Sequence, residues 1–265
     1  MSVIDVRGVH PLPVPVDVLR IIEGRARFLD VSVLVIGAAA RDLVVHAVTG
    51  SRSPRATLDV DVAVAVDSAG FSIFTEPWER VQGNEHKFLV LDVEVDVVPF
   101  GTVETDRRVE LNDGHLLDVN GLEEAARTSV EVQLADDLRM RVASLPAQAA
   151  LKVLAWRDRH RDNSKDARDL REILGAMAED PYVDDVWEDS AAMDWSDHDV
   201  YLAAAFRVGS LAAAPFATED GRQVLSVVED DELSSRLARQ MGGATASELL
   251  RAFAAGFRSG LRSAP

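Results

Sequence analysis

One short segment constrains the fold more than any other part of the chain, because its apolar residues recur with a period of two. Valine occupies every second position from Val60 to Val66. An extended strand places such residues on one face and the intervening residues on the other. The pattern therefore predicts a strand over residues 56–66, with Asp59 and Asp61 together on the face opposite the valines.

Two neighbouring carboxylates on an otherwise apolar strand are costly to bury unless something neutralises them. Mg²⁺ or Mn²⁺ can do so, because hard cations favour carboxylate oxygens and keep water or phosphate as further ligands. Glu94 and Asp96 share a face within a second valine-rich segment, so Asp96 is a third candidate ligand. The alternative is a strand pair with one solvent-exposed face. Ala63 and Ala65 count against it, because a solvated face usually carries longer polar side chains.

The order of elements around this strand indicates a mixed sheet packed on helices. Gly37 ends a strand rich in β-branched residues and opens a helix, while Asp92 separates two later strands at a tight turn. The predicted elements are a helix over 16–28, a strand over 31–36, a helix over 38–48, and strands over 56–66, 88–91 and 93–98.

The pattern becomes helical in the second half of the chain. A short helix over 122–126 and two short strands within 130–142 precede the change. Helices are then predicted over 147–161, 165–177, 198–213, 219–238 and 244–262. We therefore expect an α+β protein, with a mixed-sheet domain over 1–143 and a helical bundle region over 144–265.

Composition excludes several classes of protein. The chain of 265 residues has no cysteine, which removes disulfides, thiolate zinc sites and a cysteine nucleophile. The net charge of −17 argues against broad, non-specific nucleic-acid binding, although it leaves a local basic surface open. We find no membrane-length apolar run, signal peptide, Walker A loop or Gly-x-Ser-x-Gly elbow, and expect a cytoplasmic protein without a membrane partner.

A second charged segment covers residues 152–172, where basic residues interleave with aspartates at helical spacing. One interpretation is a solvent-exposed face crossed by salt bridges. The other is that Lys152 and Lys165 face a triphosphate or an acceptor, because Lys152 lies within an apolar run. His86 and Lys87 precede a strand and are further candidates for contacting a nucleotide.

Together these residues resemble the polymerase-β-type nucleotidyltransferase superfamily, whose pattern is a glycine-led turn, an Asp-x-Asp strand and a later carboxylate. More narrowly, the chain is similar to the AbiEii/AbiGii-type and MenT-type toxin nucleotidyltransferases of type IV toxin–antitoxin systems. The resemblance spans roughly residues 30–175. It rests on the segments 36–43, 55–62, 95–101, 150–159 and 165–170.

The resemblance implies a Mg²⁺- or Mn²⁺-dependent enzyme that transfers a nucleotide from an NTP to an acceptor such as a tRNA 3′ end or a protein hydroxyl. It also implies a cognate antitoxin as a partner. The metal ligands would be Asp59, Asp61 and Asp96. The catalytic set adds the residues that match the family's active-site lysine and late aspartate, Lys152 and Asp166. The expected nucleotide contacts are Gly37, Ala38, Arg41, Arg55 and Thr57.

Two departures from the family pattern are visible. The turn reads Gly37-Ala38 where the family commonly has Gly-Gly or Gly-Ser, and 22 positions separate Gly37 from Asp59. The first removes a hydroxyl that could contact phosphate. Two alternatives therefore stay open: transfer to a small molecule such as an aminoglycoside, which the acidic composition favours, and a non-catalytic regulatory or antitoxin-like protein that keeps the fold.

Overall fold

A computed structural model describes residues 3–51, 59–111, 114, 116–161 and 163–263. The chain divides into two compact units, unit 1 over Met1–Ser144 and unit 2 over Leu145–Pro265. Unit 1 holds the strands and unit 2 is helical, so the fold class expected from the sequence is confirmed. Within the described ranges, no helix is long and apolar enough to cross a membrane.

The strands of unit 1 form a mixed sheet. Their bounds are β1 (Val3–Asp5), β2 (Ser32–Ile36), β3 (Val60–Ala65), β4 (Glu79–Arg80), β5 (Lys87–Val90), β6 (Val93–Phe100), β7 (Arg108–Glu110), β8 (Leu116–Asp118), β9 (Val130–Ala135) and β10 (Leu138–Val142). Eight of these strands pair in the order β1-β9-β10-β2-β3-β6-β5-β4, while β7 pairs with β8. At the centre, β3 runs antiparallel to β2 and parallel to β6, which is antiparallel to β5.

Helices surround this sheet. They are α1 (Val16–Leu29), α2 (Gly37–Arg41), α3 (Ala47–Thr49), α4 (Ser68–Thr75) and α5 (Leu122–Arg127). The helix predicted over 38–48 is present, but a π-helical turn over Asp42–His46 joins α2 to α3. The sequence pattern missed α4, which begins where the Asp67 carboxylate accepts a hydrogen bond from the Gly70 N–H. It also missed the short strands β1, β4, β7 and β8.

The valine face of β3 forms the centre of the unit 1 core. Val60, Val62 and Val64 are fully buried, as their alternation predicts. Ala63, on the other face, is fully buried as well. The face that carries the aspartates is therefore only partly covered, since Asp61 and Ala65 are partly exposed and Asp59 is exposed. The burial of Ala63 counts against a face that is solvated along its whole length. The first residues of the predicted strand, 56–58, lie outside the described residues.

Unit 2 consists of helices. Their bounds are α6 (Leu145–Arg159), α7 (Lys165–Ala176), α8 (Val183–Trp187), α9 (Ser190–Trp195), α10 (Val200–Ala213), α11 (Thr218–Val228), α12 (Asp231–Met241) and α13 (Ala246–Ser263). The single helix predicted over 219–238 is wrong, because it is two helices. The Asp230 carboxylate accepts hydrogen bonds from the Glu232 and Leu233 N–H groups. This N-cap starts a new helix inside a continuous apolar period.

Helices α10 and α13 approach each other closely because glycines line their contact. A Cβ added at Gly209 would lie 2.8 Å from the Phe257 nitrogen, and one at Gly256 would lie 2.7 Å from the Phe206 carbonyl carbon. A Cβ at Gly260 would meet the Ser210 backbone in the same way. Each glycine thus permits backbone-to-backbone contact that any side chain would prevent.

Candidate active site

Charged residues of unit 1 lie in one row across the sheet. In the strand register, Ile36 of β2 is paired with Asp61 of β3, and Asp61 is paired with Asp96 of β6. Asp96 is in turn paired with Lys87 of β5. Register partners on adjacent strands point to the same face of a sheet. The structure therefore brings two of the predicted carboxylates side by side, and places a lysine next to them. We call Asp61, Asp96 and Lys87, with Asp59 and Glu94 beside them, the carboxylate row.

The turn after β2 lies directly against Asp61. Gly37 has a φ of 66°, a conformation that glycine adopts without steric cost. A Cβ at this position would lie 2.7 Å from Cγ and 2.9 Å from Cβ of Asp61. The absence of a side chain at Gly37 therefore makes room for the Asp61 carboxylate, which couples the glycine turn to the Asp-x-Asp strand.

Asp59 immediately precedes β3 and is exposed. It lies two residues before Asp61 and so belongs to the same face. Its charge acts on both neighbours in the row, since it contributes to raising the pKa of Asp96 and of Lys87. Asp59, which the sequence pairs with Asp61 as a metal ligand, is therefore electrostatically linked to the other members of the row.

Asp96 is mostly buried, with 18% of its side chain exposed. Burial raises its pKa, while the nearby charges of Lys87 and His86 act in the opposite direction. His86 Nε2 lies 3.8 Å from Asp96 Oδ1, beyond hydrogen-bonding distance. Among the described residues, Asp96 Oδ1 has no hydrogen-bond partner although it is buried. A buried acceptor without a donor is uncommon and suits an atom that receives a ligand.

Lys87 bridges two carboxylates of the row. Its Nζ lies 2.9 Å from Glu94 Oε2 and 3.6 Å from Asp96 Oδ2. Burial alone would lower the pKa of Lys87, but the hydrogen bond to Glu94 and the charges of Asp96, Glu94 and Asp59 leave it raised. The ammonium is therefore held in its charged form. It lies beside the carboxylate of Asp96, whose other oxygen, Oδ1, has no hydrogen-bond partner among the described residues.

The donor atoms of the row fit a hard divalent cation. Asp61 and Asp96 supply carboxylate oxygens on neighbouring strands, and Asp96 Oδ1 has no donor of its own within the described ranges. In those same ranges, no three histidine, aspartate or glutamate side chains are arranged so that they could hold an ion together. The row thus fits a cation that takes two protein carboxylates and completes its shell with phosphate or water, as Mg²⁺ commonly does.

The other predicted nucleotide contacts are only partly described. Gly37 and Ala38 form the first turn of α2, as the sequence indicates. Arg41 is buried, and its Nη2 lies 2.7 Å from Oδ1 of the fully buried Asp42. Contact of these residues with a nucleotide stays a prediction. Arg55 and Thr57 lie outside the described residues.

Lys152 and Asp166 meet in unit 2, where they form a closed ionic cluster. Lys152 Nζ donates to Asp166 Oδ1 at 3.1 Å and to Asp169 Oδ2 at 2.7 Å, and Arg159 Nε donates to Asp166 Oδ2 at 2.7 Å. Lys152, Asp166 and Asp169 are all buried. We call these three residues with Arg159 the buried cluster. Their role in catalysis stays a prediction.

The charges of the buried cluster determine each other's ionisation. Burial alone would lower the pKa of Lys152, but Asp166 and Asp169 hold it above its usual value. Burial would raise the pKa of Asp166, but Arg159 and Lys152 hold it below its usual range. Lys152 and Asp166 are therefore both charged at neutral pH.

Two contacts in these sites were not predicted from the sequence, that of Asp169 with Lys152 and that of Lys87 with Asp96, although each had a detectable signal. Asp169 follows Asp166 by three residues and so shares its helix face. Lys87 lies opposite Asp96 because the β5–β6 hairpin turn consists of Leu91 and Asp92, both with positive φ. We predicted a turn at Asp92 with Leu91 still in the strand, and that register was off by one residue.

Comparisons with known proteins assign no family to the chain. A scan against protein-family models and a search of curated proteins both find no match. Among solved structures, similarity is found to a CCA-adding enzyme in complex with ATP, at 13% identity and a TM-score of 0.26 over 94% of this chain and 83% of that one. A Thermotoga maritima CCA-adding enzyme complexed with tRNA is similar at 10% identity and a TM-score of 0.25, over 93% and 80%. TM-scores this low establish neither a shared fold nor an activity.

Proposed function

We propose that this protein is a metal-dependent nucleotidyltransferase whose reaction centre is the carboxylate row. One observation carries the proposal: Asp61 and Asp96 lie side by side in the register of β3 and β6, at the point where the Gly37 turn packs against Asp61. The resemblance of these segments to the polymerase-β-type superfamily supports the same conclusion. The proposal extends to Asp59, which lies on the same face.

The chemistry follows from the residues of the row. Asp61 and Asp96 would hold a Mg²⁺ ion, with Asp59 on the same face beside them. The ion would offset the negative charge of the nucleotide phosphates. Asp96 would also accept the proton of the attacking hydroxyl, because it lies beside Asp61 at the centre of the row. The acceptor oxygen forms a bond to the α-phosphorus as the bond to pyrophosphate breaks, with the reacting groups held in line.

For the acceptor we propose a tRNA 3′ end, as the toxin resemblance implies. Helix α7 offers a surface suited to RNA, because two of its three acidic residues, Asp166 and Asp169, are buried while its basic residues are exposed. Lys165, Arg168 and Arg171 are exposed, and none has an acidic partner within 4 Å among the described residues. Exposed guanidinium and ammonium groups of this kind bind phosphate backbones even in a protein of negative net charge.

A small cationic acceptor is the second candidate, and the net charge of −17 favours it. The negative potential of an acidic protein attracts a cationic substrate and raises its rate of association. Aminoglycoside-like molecules carry several amines and hydroxyls, so they supply both the charge and the nucleophile. The two acceptors separate in one assay, since one product is precipitable nucleic acid and the other is a small molecule.

The experiment is incubation of the full chain with each α-labelled NTP, Mg²⁺ and either total tRNA, an aminoglycoside mixture or a cell extract. We expect label transfer by the wild type and its loss, by at least about 10²-fold, in Asp61→Asn. The matched control is Asp92→Asn, the same chemical change at the hairpin turn. Asparagine tolerates the left-handed conformation of that position, so this variant keeps wild-type activity.

The toxin assignment needs a separate test in cells. We expect induction of the wild type to arrest growth, and induction of Asp61→Asn at equal protein level to leave growth unchanged. A cognate antitoxin would be a protein whose co-expression restores growth. Growth that is unaffected by the wild type, in a strain where label transfer is active, would reject the toxin role and keep the enzyme.

A non-catalytic protein would give a different set of results. If no NTP transfers label to any acceptor, and calorimetry with Mg²⁺ detects no NTP binding, the proposed reaction is wrong. Retained NTP binding without transfer would instead favour the regulatory alternative. The Gly37-Ala38 turn is the feature that would then explain it, since it lacks the serine hydroxyl of the family pattern.

A further inference from the structure

Lys87 has contacts that the proposed reaction does not yet use. Its ammonium is placed by the β5–β6 register directly opposite Asp96. It lies closer to Glu94 than to Asp96, at 2.9 Å against 3.6 Å. Only 21% of its side chain is exposed, so its position is determined by these carboxylates rather than by solvent.

The charge of Lys87 lies where it must affect any cation bound by the row. Asp96 Oδ2 faces Lys87, while Asp96 Oδ1 is buried and has no hydrogen-bond partner in the described part of the chain. A cation that binds Oδ1 would therefore share the Asp96 carboxylate with the ammonium. Two cations on opposite oxygens of one carboxylate repel each other strongly at this range.

We propose that Lys87 is the resident counter-ion of the carboxylate row, which opposes binding of a divalent cation alone and favours its entry together with a nucleoside triphosphate. The sign of each effect follows from charge. The bare cation is positive and is repelled by Lys87, whereas the complex of one divalent cation with a triphosphate is negative and is attracted. Lys87 therefore makes metal binding depend on nucleotide. The nucleotide part of this inference rests on the proposed function.

The alternative role for Lys87 is to hold Asp96 in place, and it predicts the opposite sign. If the lysine only positions the carboxylate, its removal loosens Asp96 and weakens cation binding. If the lysine is a counter-ion, its removal strengthens cation binding. The direction of the change in affinity thus distinguishes the two roles, and a loss of activity alone would not.

The test is titration of the full chain with Mn²⁺ alone, followed by electron paramagnetic resonance of the free ion. We expect Lys87→Met to bind Mn²⁺ at least about tenfold tighter than the wild type. Lys87→Arg keeps the charge and should stay within about twofold of the wild type. The control Arg27→Met removes one positive charge from α1 of the same unit, where Arg27 pairs with Glu23, and should leave the Mn²⁺ affinity unchanged.

The second arm repeats the titration with Mn²⁺ and a non-hydrolysable NTP analogue. We expect Lys87→Met to bind this complex at least about fivefold more weakly than the wild type, the reverse of its effect on the bare ion. Equal or weaker binding of bare Mn²⁺ by Lys87→Met overturns the inference, as does the absence of binding by both proteins. Circular dichroism of each variant confirms that it is folded.

The two proposals fail separately. Asp96→Asn should abolish Mn²⁺ binding if the ion binds at the row, whatever reaction the protein performs. If Lys87→Met binds bare Mn²⁺ more tightly but the wild type transfers no label, the counter-ion role stands and the nucleotidyltransferase proposal falls. If the wild type transfers label but Lys87→Met binds Mn²⁺ no more tightly, the nucleotidyltransferase proposal stands and the counter-ion role falls.

Discussion

The protein contains two groups of interacting charges, and they differ in how completely those charges are matched. In the buried cluster of unit 2, Lys152 and Arg159 face Asp166 and Asp169, two cations against two anions in direct contact. In the carboxylate row of unit 1, one lysine contacts two carboxylates at unequal distances. The cations and anions of the buried cluster balance each other, whereas the row includes a buried oxygen, Asp96 Oδ1, that has no hydrogen-bond partner among the described residues.

The difference shows which charges serve folding and which are available to a ligand. A buried and balanced group is strongly destabilised when one member is removed, because the others are left uncompensated. A group that keeps some access to solvent and has an excess of one sign loses less stability when a member changes, but its affinity for a counter-charge changes greatly. Both groups have perturbed pKa values, so a pKa shift alone would not have separated them.

The largest effect should come from breaking the buried cluster. Lys152→Met leaves Asp169 and part of Asp166 buried without their cation, and we expect it to lower the free energy of unfolding by about 3–5 kcal/mol. Urea unfolding followed by circular dichroism measures this change. The matched substitution Lys87→Met in the row should cost at most about 1 kcal/mol. Equal losses in the two variants would show that the row is structural as well.

The pH dependence of stability tests whether the buried cluster, unlike the carboxylate row, stabilises the fold through its charges. Asp166 has a folded pKa below its ordinary value of 3.8, so its contribution is fully present above that value and is lost as the pH falls through the folded pKa. We expect Asp166→Asn to be about 2–3 kcal/mol less stable than the wild type near neutral pH. The gap should shrink progressively below about pH 4. A gap that stays constant to pH 2 would contradict the ionic role of Asp166.

A smaller effect on stability, with a larger one on function, should follow from filling the space beside the row. Gly37→Ala forces a Cβ into a left-handed conformation and against Asp61, at a cost of about 1–2 kcal/mol. The displaced carboxylate should reduce label transfer by about 10²-fold, because a misplacement near 1 Å costs that much. Gly50→Ala is the control, since Gly50 has a similar φ and no atom of the described residues lies within 4 Å of its added Cβ.

The smallest effect should come from Glu94, which is half exposed. Glu94→Gln removes one charge from the pair with Lys87 and keeps the shape of the side chain. We expect the free energy of unfolding to change by less than about 0.5 kcal/mol, as measured by urea denaturation. A change above about 2 kcal/mol would place the row in the same structural class as the buried cluster.

Much of this contrast was visible in the sequence. The period of two in β3 and β6 correctly places Asp61 and Asp96 on the face opposite the valines. The register of the β5–β6 hairpin could also have been derived from the sequence. In an antiparallel pair the residue numbers of partners have a constant sum. A two-residue turn at Leu91 and Asp92 pairs Val90 with Val93, and therefore Lys87 with Asp96. Leucine rarely adopts a positive φ, so the sequence pattern placed Leu91 in the strand and predicted a turn that is one residue too short.

Other features depend on packing that no local pattern encodes. The aspartates of α7 interleave with basic residues. Their spacing alone is equally consistent with salt bridges on a solvent-exposed face and with side chains that point into the core. Only the tertiary position of Lys152 draws Asp166 and Asp169 into the core. The π-helical turn at Asp42–His46 likewise has no signal in the apolar period.

The glycine-lined contact between α10 and α13 affects how the chain folds while it is being synthesised. Every strand of the large sheet precedes residue 145, so unit 1 can complete its folding while the rest of the chain is still being made. Helix α10, in contrast, cannot bury its Gly209 face until Gly256 and Gly260 have left the ribosome. During that interval the side of α10 that packs on α13 stays uncovered by that helix, so unit 2 completes its packing only when synthesis is almost finished.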